Sequence, residues 1–210
     1  WLLVWGPQTK MHAKNLMNMP EEKIIEFGAA QFDIYKELPK KNKEEILSYH
    51  GVFNLKKPTL LYAGSSKSTD EFSHLKKIDE AINAKKLPIV NIIYRPHPWG
   101  EAGKDSLKFK EFKFKNEFID RNMKNFLFDN ENNKEHYLSK YSDTRDLLYS
   151  VDAVISPLST ILIEAMIIGK PPLCFMPIEE KGAVHFQIAK DSIHFNELLS
   201  MNEIIVIWGV

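Results

Sequence analysis

Apolar residues fall in short runs, and polar stretches with helical spacing separate them along most of the chain. The early part predicts strands over 1–5 and 23–27, with a helix over 8–18 that ends near Pro20. A charged helix follows over 40–49, with Gly51 placed to end it, and 54–58 reads as a linker. After Pro58 the alternation sharpens. A buried strand over 59–63 runs into the turn Gly64-Ser65-Ser66 and a helix over 69–84. A strand over 89–94 stops at Arg95-Pro96-His97-Pro98. Residues 104–118 interleave Phe and Lys without a usable period, and no element is assigned to them. A strand over 125–128, a helix over 143–150 and a strand over 153–155 come next. A helix over 159–168 is closed by Gly169, and a strand over 172–175, a helix over 192–201 and a strand over 204–208 complete the pattern.

Apolar strands alternating with helices predict an α/β fold in which a doubly wound parallel sheet is covered by helices on both faces. This domain is placed at 58–210. Residues 1–57 are assigned to the tail of a preceding α/β domain and the connection between the two. The chain opens on Trp1-Leu2-Leu3-Val4-Trp5 and closes on an apolar run, so it is expected to be a piece of a longer protein, with the second domain truncated.

Composition narrows the partners. Of 210 residues, 44% are hydrophobic and 27% charged, which excludes disorder. Lys plus Arg equals Asp plus Glu at 28 each, so nothing draws the whole molecule to nucleic acid or an anionic membrane. Any bound anion must be held by a local site. The single cysteine, Cys174, excludes a disulfide framework and a four-thiolate zinc site, and it points to a reducing, cytoplasmic compartment. It lies in an apolar strand and reads as core. The seven histidines show no metal spacing. The longest apolar stretch, 153–169, is broken by Pro157 and Glu164 and reads as a buried strand and helix, not a membrane span. Phe109, Phe112 and Phe114 among four lysines read as an amphipathic surface element in preference to a nucleic-acid or lipid-head-group site.

Open α/β sheets bind ligands beyond the carboxyl ends of their strands. The residues that follow the predicted strands are Gly64-Ser65-Ser66-Lys67-Ser68, Arg95-Pro96-His97-Pro98, Ser156-Pro157-Leu158-Ser159-Thr160 and Met176-Pro177. Hydroxyls, one Arg and one His suit phosphate and sugar hydroxyls better than an apolar ligand. Ser159 stands where a helix N-cap is expected, Thr160 adds a hydroxyl, and a helix start offers N–H groups to an anion. Glu164 follows one turn later among Ile161, Leu162, Ile163, Ala165 and Met166. Two readings stay open for it: a ligand for a ribose diol, or a carboxylate complementing the helix dipole or paired with a lysine. His97 is either a phosphate or proton-transfer group or the filling of a rigid turn. Gly64-Ser65-Ser66-Lys67-Ser68 has half of a Walker A loop without its first glycine, so an NTPase is disfavoured.

In this order the motifs resemble the C-terminal, donor-binding half of a GT-B glycosyltransferase of the bacterial surface-polysaccharide type. They are similar also to CDP-glycerol glycerophosphotransferases and UDP-GlcNAc 2-epimerases. Gly28-Ala29-Ala30-Gln31-Phe32-Asp33-Ile34-Tyr35 resembles the stretch that closes the first domain of such proteins, with Ala29-Ala30 where Ser-Pro is common. Residues 58–64, 94–98 and 152–171 resemble the first strand of the second domain, the Arg-Pro-His-Pro signature and the Ser-(Ser/Thr)-x-x-x-Glu-Ala segment. The resemblance implies that Ser159 and Thr160 hold a donor diphosphate and that Glu164 binds the nucleotide ribose. It implies that His97, with Arg95 nearby, contacts phosphate or the transferred group, with His97 the candidate catalytic group. Gly64, with Ser65, would let backbone approach the donor. It further implies transfer from a nucleotide-sugar donor to a carbohydrate or lipid-linked acceptor, without cofactor or bound metal, in the cytoplasm or at the inner face of the membrane. Pro157-Leu158 stands where glycerophosphotransferases tend to carry Asp-Tyr, and the epimerase-type Gly-Gly is absent. A non-catalytic nucleotide-binding module is the alternative from another class.

Overall fold

The computed structural model describes residues 1–65, 69–98, 106–128, 139–177 and 183–208. Ser66, Lys67 and Ser68 of the Gly64 turn lie outside these residues. The chain divides into two compact units, Trp1–Leu38 and Pro39–Val210. In the first, strand β1 (Leu2–Val4) and strand β2 (Ile24–Glu26) pair in parallel, joined through helix α1 (Pro7–Asn15). Pro7 starts α1 because the first helical N–H needs no intrahelical partner. Val4, Ala13 and Ile24 form its small core.

The second unit begins with helix α2 (Lys43–Tyr49), whose start is fixed by a capping box between Asn42 and Glu45. Then come strand β3 (Thr59–Ala63), helix α3 (Glu71–Asn83), strand β4 (Asn91–Arg95), helix α4 (Ser106–Glu111), strand β5 (Glu117–Ile119) and helix α5 (Lys124–Phe128). Helix α6 (Tyr141–Ser150), strand β6 (Ala153–Ser156), helix α7 (Ile161–Ile167), strand β7 (Pro172–Met176), helices α8 (Ala183–Lys190) and α9 (Ile193–Leu199) and strand β8 (Ile205–Trp208) follow. Six strands form one parallel sheet in the order β5-β4-β3-β6-β7-β8. This is the doubly wound parallel α/β sheet that the sequence predicts.

Side-chain alternation assigns the two faces. Tyr62, Ile92, Tyr94 and Phe175 point to one face, where Leu75 and Ile82 of α3 and Phe109 of α4 complete a core. Arg95, of opposite parity to Tyr94, points to the other face and reaches Thr144 of α6. Helix α2 packs with α6 and is tied to the sheet by Asp152, which bonds Lys43 Nζ at 2.6 Å and Thr59 N at 2.8 Å. Residues 39–57 therefore pack with the sheet's own unit.

Two expectations change. Residues 125–128 are helical, with Phe126 and Leu127 both buried, because a four-residue apolar run does not distinguish strand from helix. The edge strand is β5, which begins at the end of the unassigned Phe/Lys segment and runs one residue past it. There Phe109, Phe112 and Phe114 surround Phe72 of α3 edge-to-face at 5.2, 5.8 and 6.0 Å, while Lys108 and Lys110 stay exposed. Cys174 is fully buried, and burial pushes its thiol up to about 12, which makes it inert core.

Candidate functional site

The order of strands locates the crevice. From β3 the chain winds outward through β4 to β5, returns to β6 beside β3, and winds the other way through β7 to β8. The two directions part between β3 and β6, and ligands of open α/β sheets sit at that switch point. Register puts Ala63 level with Arg95, and Tyr62 level with Ile155. The residues next beyond these strands, Gly64, Pro96 and Pro157, therefore open onto one edge.

After β3, Gly64 donates its N–H to the Arg95 carbonyl at 2.8 Å. The space a Cβ would need at Gly64 is filled by the Glu71 carboxylate, with Oε2 at 2.5 Å and Oε1 at 2.6 Å from that position. Glu71 opens α3 and folds back under the loop. Its Oε1 accepts from Ser65 N at 2.5 Å and Thr69 Oγ1 at 3.1 Å, and its Oε2 accepts from Tyr94 OH at 2.5 Å. Asp70 caps α3 by accepting from Ser73 N at 3.0 Å.

After β4, Arg95 lies in the floor of the edge. It is 6% exposed. Its guanidinium pairs with Asp120 and donates to Ser139 Oγ at 2.5 Å and Thr144 Oγ1 at 2.8 Å. Asp120 also accepts from Asn122 N at 2.9 Å and lies 3.4 Å from His50 Nδ1. That nitrogen accepts from Arg121 N at 3.2 Å, and burial holds the His50 pKa below its ordinary value, so the imidazole is neutral. His97, two residues further, is half-buried. Burial first, and the Arg95 charge second, push it down to about 4, so it is a neutral imidazole at pH 7.

After β6 the chain supplies hydroxyls. Ser156 is fully buried, and its Oγ has no hydrogen-bond partner among the described residues. The N-cap of helix α7 falls one residue later than the sequence predicts. Thr160 rather than Ser159 stands at the N-cap, in a helical conformation and without a side-chain cap bond. The Ser159 carbonyl accepts from Leu162 N at 3.2 Å, and the Thr160 carbonyl from Ile163 N at 3.0 Å and Glu164 N at 3.2 Å. Thr160 is exposed and Ser159 half-buried. Glu164 is half-buried in the first turn of α7.

The sheet thus brings Gly64, Ser65, Arg95, His97, Ser159 and Thr160 to the carboxyl ends of three adjacent strands, with Glu164 one turn further along α7. Sequence reasoning missed Glu71, Tyr94, Asp120, Ser139 and Thr144. Glu71 carried one usable signal, an acid in the first turn of the helix after a glycine turn. The partners of Arg95 come from 25 to 49 residues away, and no local pattern marks them. No three His, Cys, Asp or Glu among the described residues cluster as metal ligands. No helix among them is long and apolar enough to cross a membrane.

No protein-family model matches the chain, and no curated protein matches it. Solved structures do. A wall teichoic acid polymerase TagF variant soaked with CDPG aligns with a TM-score of 0.51 at 18% identity, over 83% of this chain and 37% of that one. Another TagF variant aligns at 0.49 and 16%, over 83% and 39%. KpsC of Thermosulfurimonas dismutans, a beta Kdo 2,7 transferase, aligns at 0.34 and 20%, over 70% and 42%. At 18% identity the alignment at 0.51 bears on the fold alone. The chain spans 37–39% of the length of the TagF structures it matches.

Proposed function

We propose that this chain is the donor-binding half of a GT-B type glycosyltransferase. It would transfer a sugar from a nucleotide-sugar donor to a carbohydrate or lipid-linked acceptor in surface polysaccharide or glycolipid assembly. One observation carries the reading: the loop after β3 and the hydroxyl-rich segment before α7 flank the switch point of the sheet. In this reading the Ser159-Thr160 segment at the start of α7 faces the diphosphate with its two hydroxyls. Glu164 accepts from the ribose diol. His97, neutral at pH 7, donates or accepts one hydrogen bond at the transferred group and carries no charge to the phosphate. Arg95 acts beneath the site, since Asp120 already balances its charge. The diphosphate is stabilised by protein donors, with no bound metal required. The protein would work in the cytoplasm or at the inner face of the membrane.

The likeness to TagF supports the fold on which this rests and raises a second reading, transfer of a polyol phosphate from a CDP-linked donor. A panel of UDP-, GDP-, CMP- and CDP-linked compounds separates the readings. Sugar transfer predicts preference for a nucleotide sugar, and preference for CDP-glycerol, or UDP-GlcNAc consumed without acceptor, overturns it. Glu164→Ala tests the site itself. Calorimetric titration with the preferred nucleotide should show affinity weakened by about 1.5–3 kcal/mol, the scale of a hydrogen bond to a charged group. Unchanged affinity removes Glu164 from the ribose.

A further inference from the structure

Beyond β3 the buried carboxylate of Glu71 holds Ser65 and Thr69 and ties them to the neighbouring strand. Glu71 is 8% exposed and Tyr94 is 1% exposed. One oxygen of Glu71 takes the Ser65 N–H and the Thr69 hydroxyl, and the other takes the Tyr94 hydroxyl. Tyr94 cannot move to follow the loop. Its ring stacks on Phe109 at 5.0 Å between centroids, 7° from parallel, and lies 6.1 Å from Tyr62. Gly64 leaves room for this clamp, because a Cβ there would lie 2.5 Å from Oε2 and 2.6 Å from Oε1 of Glu71. The clamp also turns the Ser65 N–H inward, so this donor serves the carboxylate and not a phosphate.

We infer that Glu71 and Tyr94 are positioning residues for nucleotide binding: together they hold the backbone of Gly64 and Ser65 at the wall of the switch-point crevice. This inference rests on the nucleotide-binding reading above. It assigns the two residues no contact with the ligand. Their effect is on affinity, because a loop that must be ordered on binding charges its ordering entropy to the ligand.

The test uses the chain as it stands, titrated with CDP, UDP and GDP in a calorimeter well below the melting temperature. Glu71→Gln keeps the size but replaces one acceptor oxygen with an NH2 group. Tyr94→Phe keeps the ring stack and removes one hydroxyl. Asp79→Asn is the control. Asp79 is a buried carboxylate of the same helix, but it holds the start of β5 through Asn116 N at 2.9 Å, at the opposite edge of the sheet. The inference predicts that Glu71→Gln and Tyr94→Phe each weaken the wild type's preferred nucleotide about tenfold. Asp79→Asn should lower the melting temperature with affinity unchanged within twofold. If the wild type binds a nucleotide and both clamp variants bind it within twofold as well, the clamp is structural only and the inference fails alone. Equal weakening by all three variants also refutes it. If the wild type binds none of the three nucleotides, the nucleotide reading fails and takes the inference with it. Tyr94→Phe keeps the test decisive where Glu71→Gln does not fold.

Discussion

Glu117 begins the edge strand β5, and both of its carboxyl oxygens are buried without a hydrogen-bond partner among the described residues. Its register neighbour is Ile92, and it shares the sheet face with Tyr94 and Ile119. Burial, followed by the nearby Asp79 charge, pushes its carboxyl from 4.5 up to about 9. At neutral pH the folded protein therefore holds a proton that the unfolded chain releases. Between pH 4.5 and 9 the folded state binds more protons, so stability is fully present below 4.5 and is lost as pH rises toward 9. At pH 7.5 the penalty covers three pH units at 1.36 kcal/mol each, or ~4 kcal/mol as an upper bound. Glu117→Gln removes the titration at nearly constant volume. It leaves an unpaired amide in place of an unpaired acid, so the desolvation of a neutral polar group remains. The expected gain is about 2–4 kcal/mol at pH 7.5, shrinking to nearly nothing at pH 4.5. Urea denaturation of both proteins at pH 4.5, 6 and 7.5 measures it. A gain that is the same at all three pH values would refute the reasoning, because it would mean Glu117 titrates alike in both states. The prediction bears on the site through the chain, since β5 leads directly into Asp120 and so into the anchor of Arg95.

Asp120→Asn should cost about 3–5 kcal/mol, because it leaves the buried Arg95 charge uncompensated; the urea midpoint at pH 7 reads this, and a loss under 1 kcal/mol would mean that Ser139 and Thr144 suffice. His97, held at about 4, should show no titration of its ring protons by NMR between pH 5 and 8, and acidification from 6.5 to 4 should cost stability because the unfolded imidazole binds the proton first. A His97 midpoint near 6.5 would contradict its burial. Gly64→Ala places a methyl against the Glu71 carboxylate and should destabilise by about 1–3 kcal/mol, with Glu71→Ala in the same chain removing most of that penalty; additive losses in the double-mutant cycle would refute the steric account.

The sheet was legible because its strands are short apolar runs that end at turn residues. Thr59–Ala63, Asn91–Arg95 and Pro172–Met176 each carry apolar residues on both faces, as a doubly covered parallel strand must. β5 was hidden for the opposite reason. It has three residues, starts on an acid and has one sheet neighbour, so it needs no apolar alternation of its own. The candidate site was legible as positions after strands, since topology alone carries those positions to one edge. The use made of each side chain was not. Arg95 reads as a cation offered to a phosphate until Asp120, 25 residues later, is folded against it. Gly64 reads as a turn open to a ligand, and the Glu71 carboxylate takes the space that a Cβ there would need. The Arg95 pairing depends on a long-range contact that a single sequence read by local pattern does not contain, and the Gly64 contact depends on how the side chain of Glu71, in the next helix, folds back.

The central claim is that a nucleotide diphosphate sits at the switch point between β3 and β6. Amide chemical-shift mapping of the isotope-labelled chain during titration with CDP, UDP and GDP tests it most directly. The account predicts saturable shifts for at least one nucleotide, concentrated at Gly64, Ser65, His97, Ser159 and Thr160. It is contradicted if none of the three moves these amides, or if the shifts gather at the other edge of the sheet around Asp79 and Asn116.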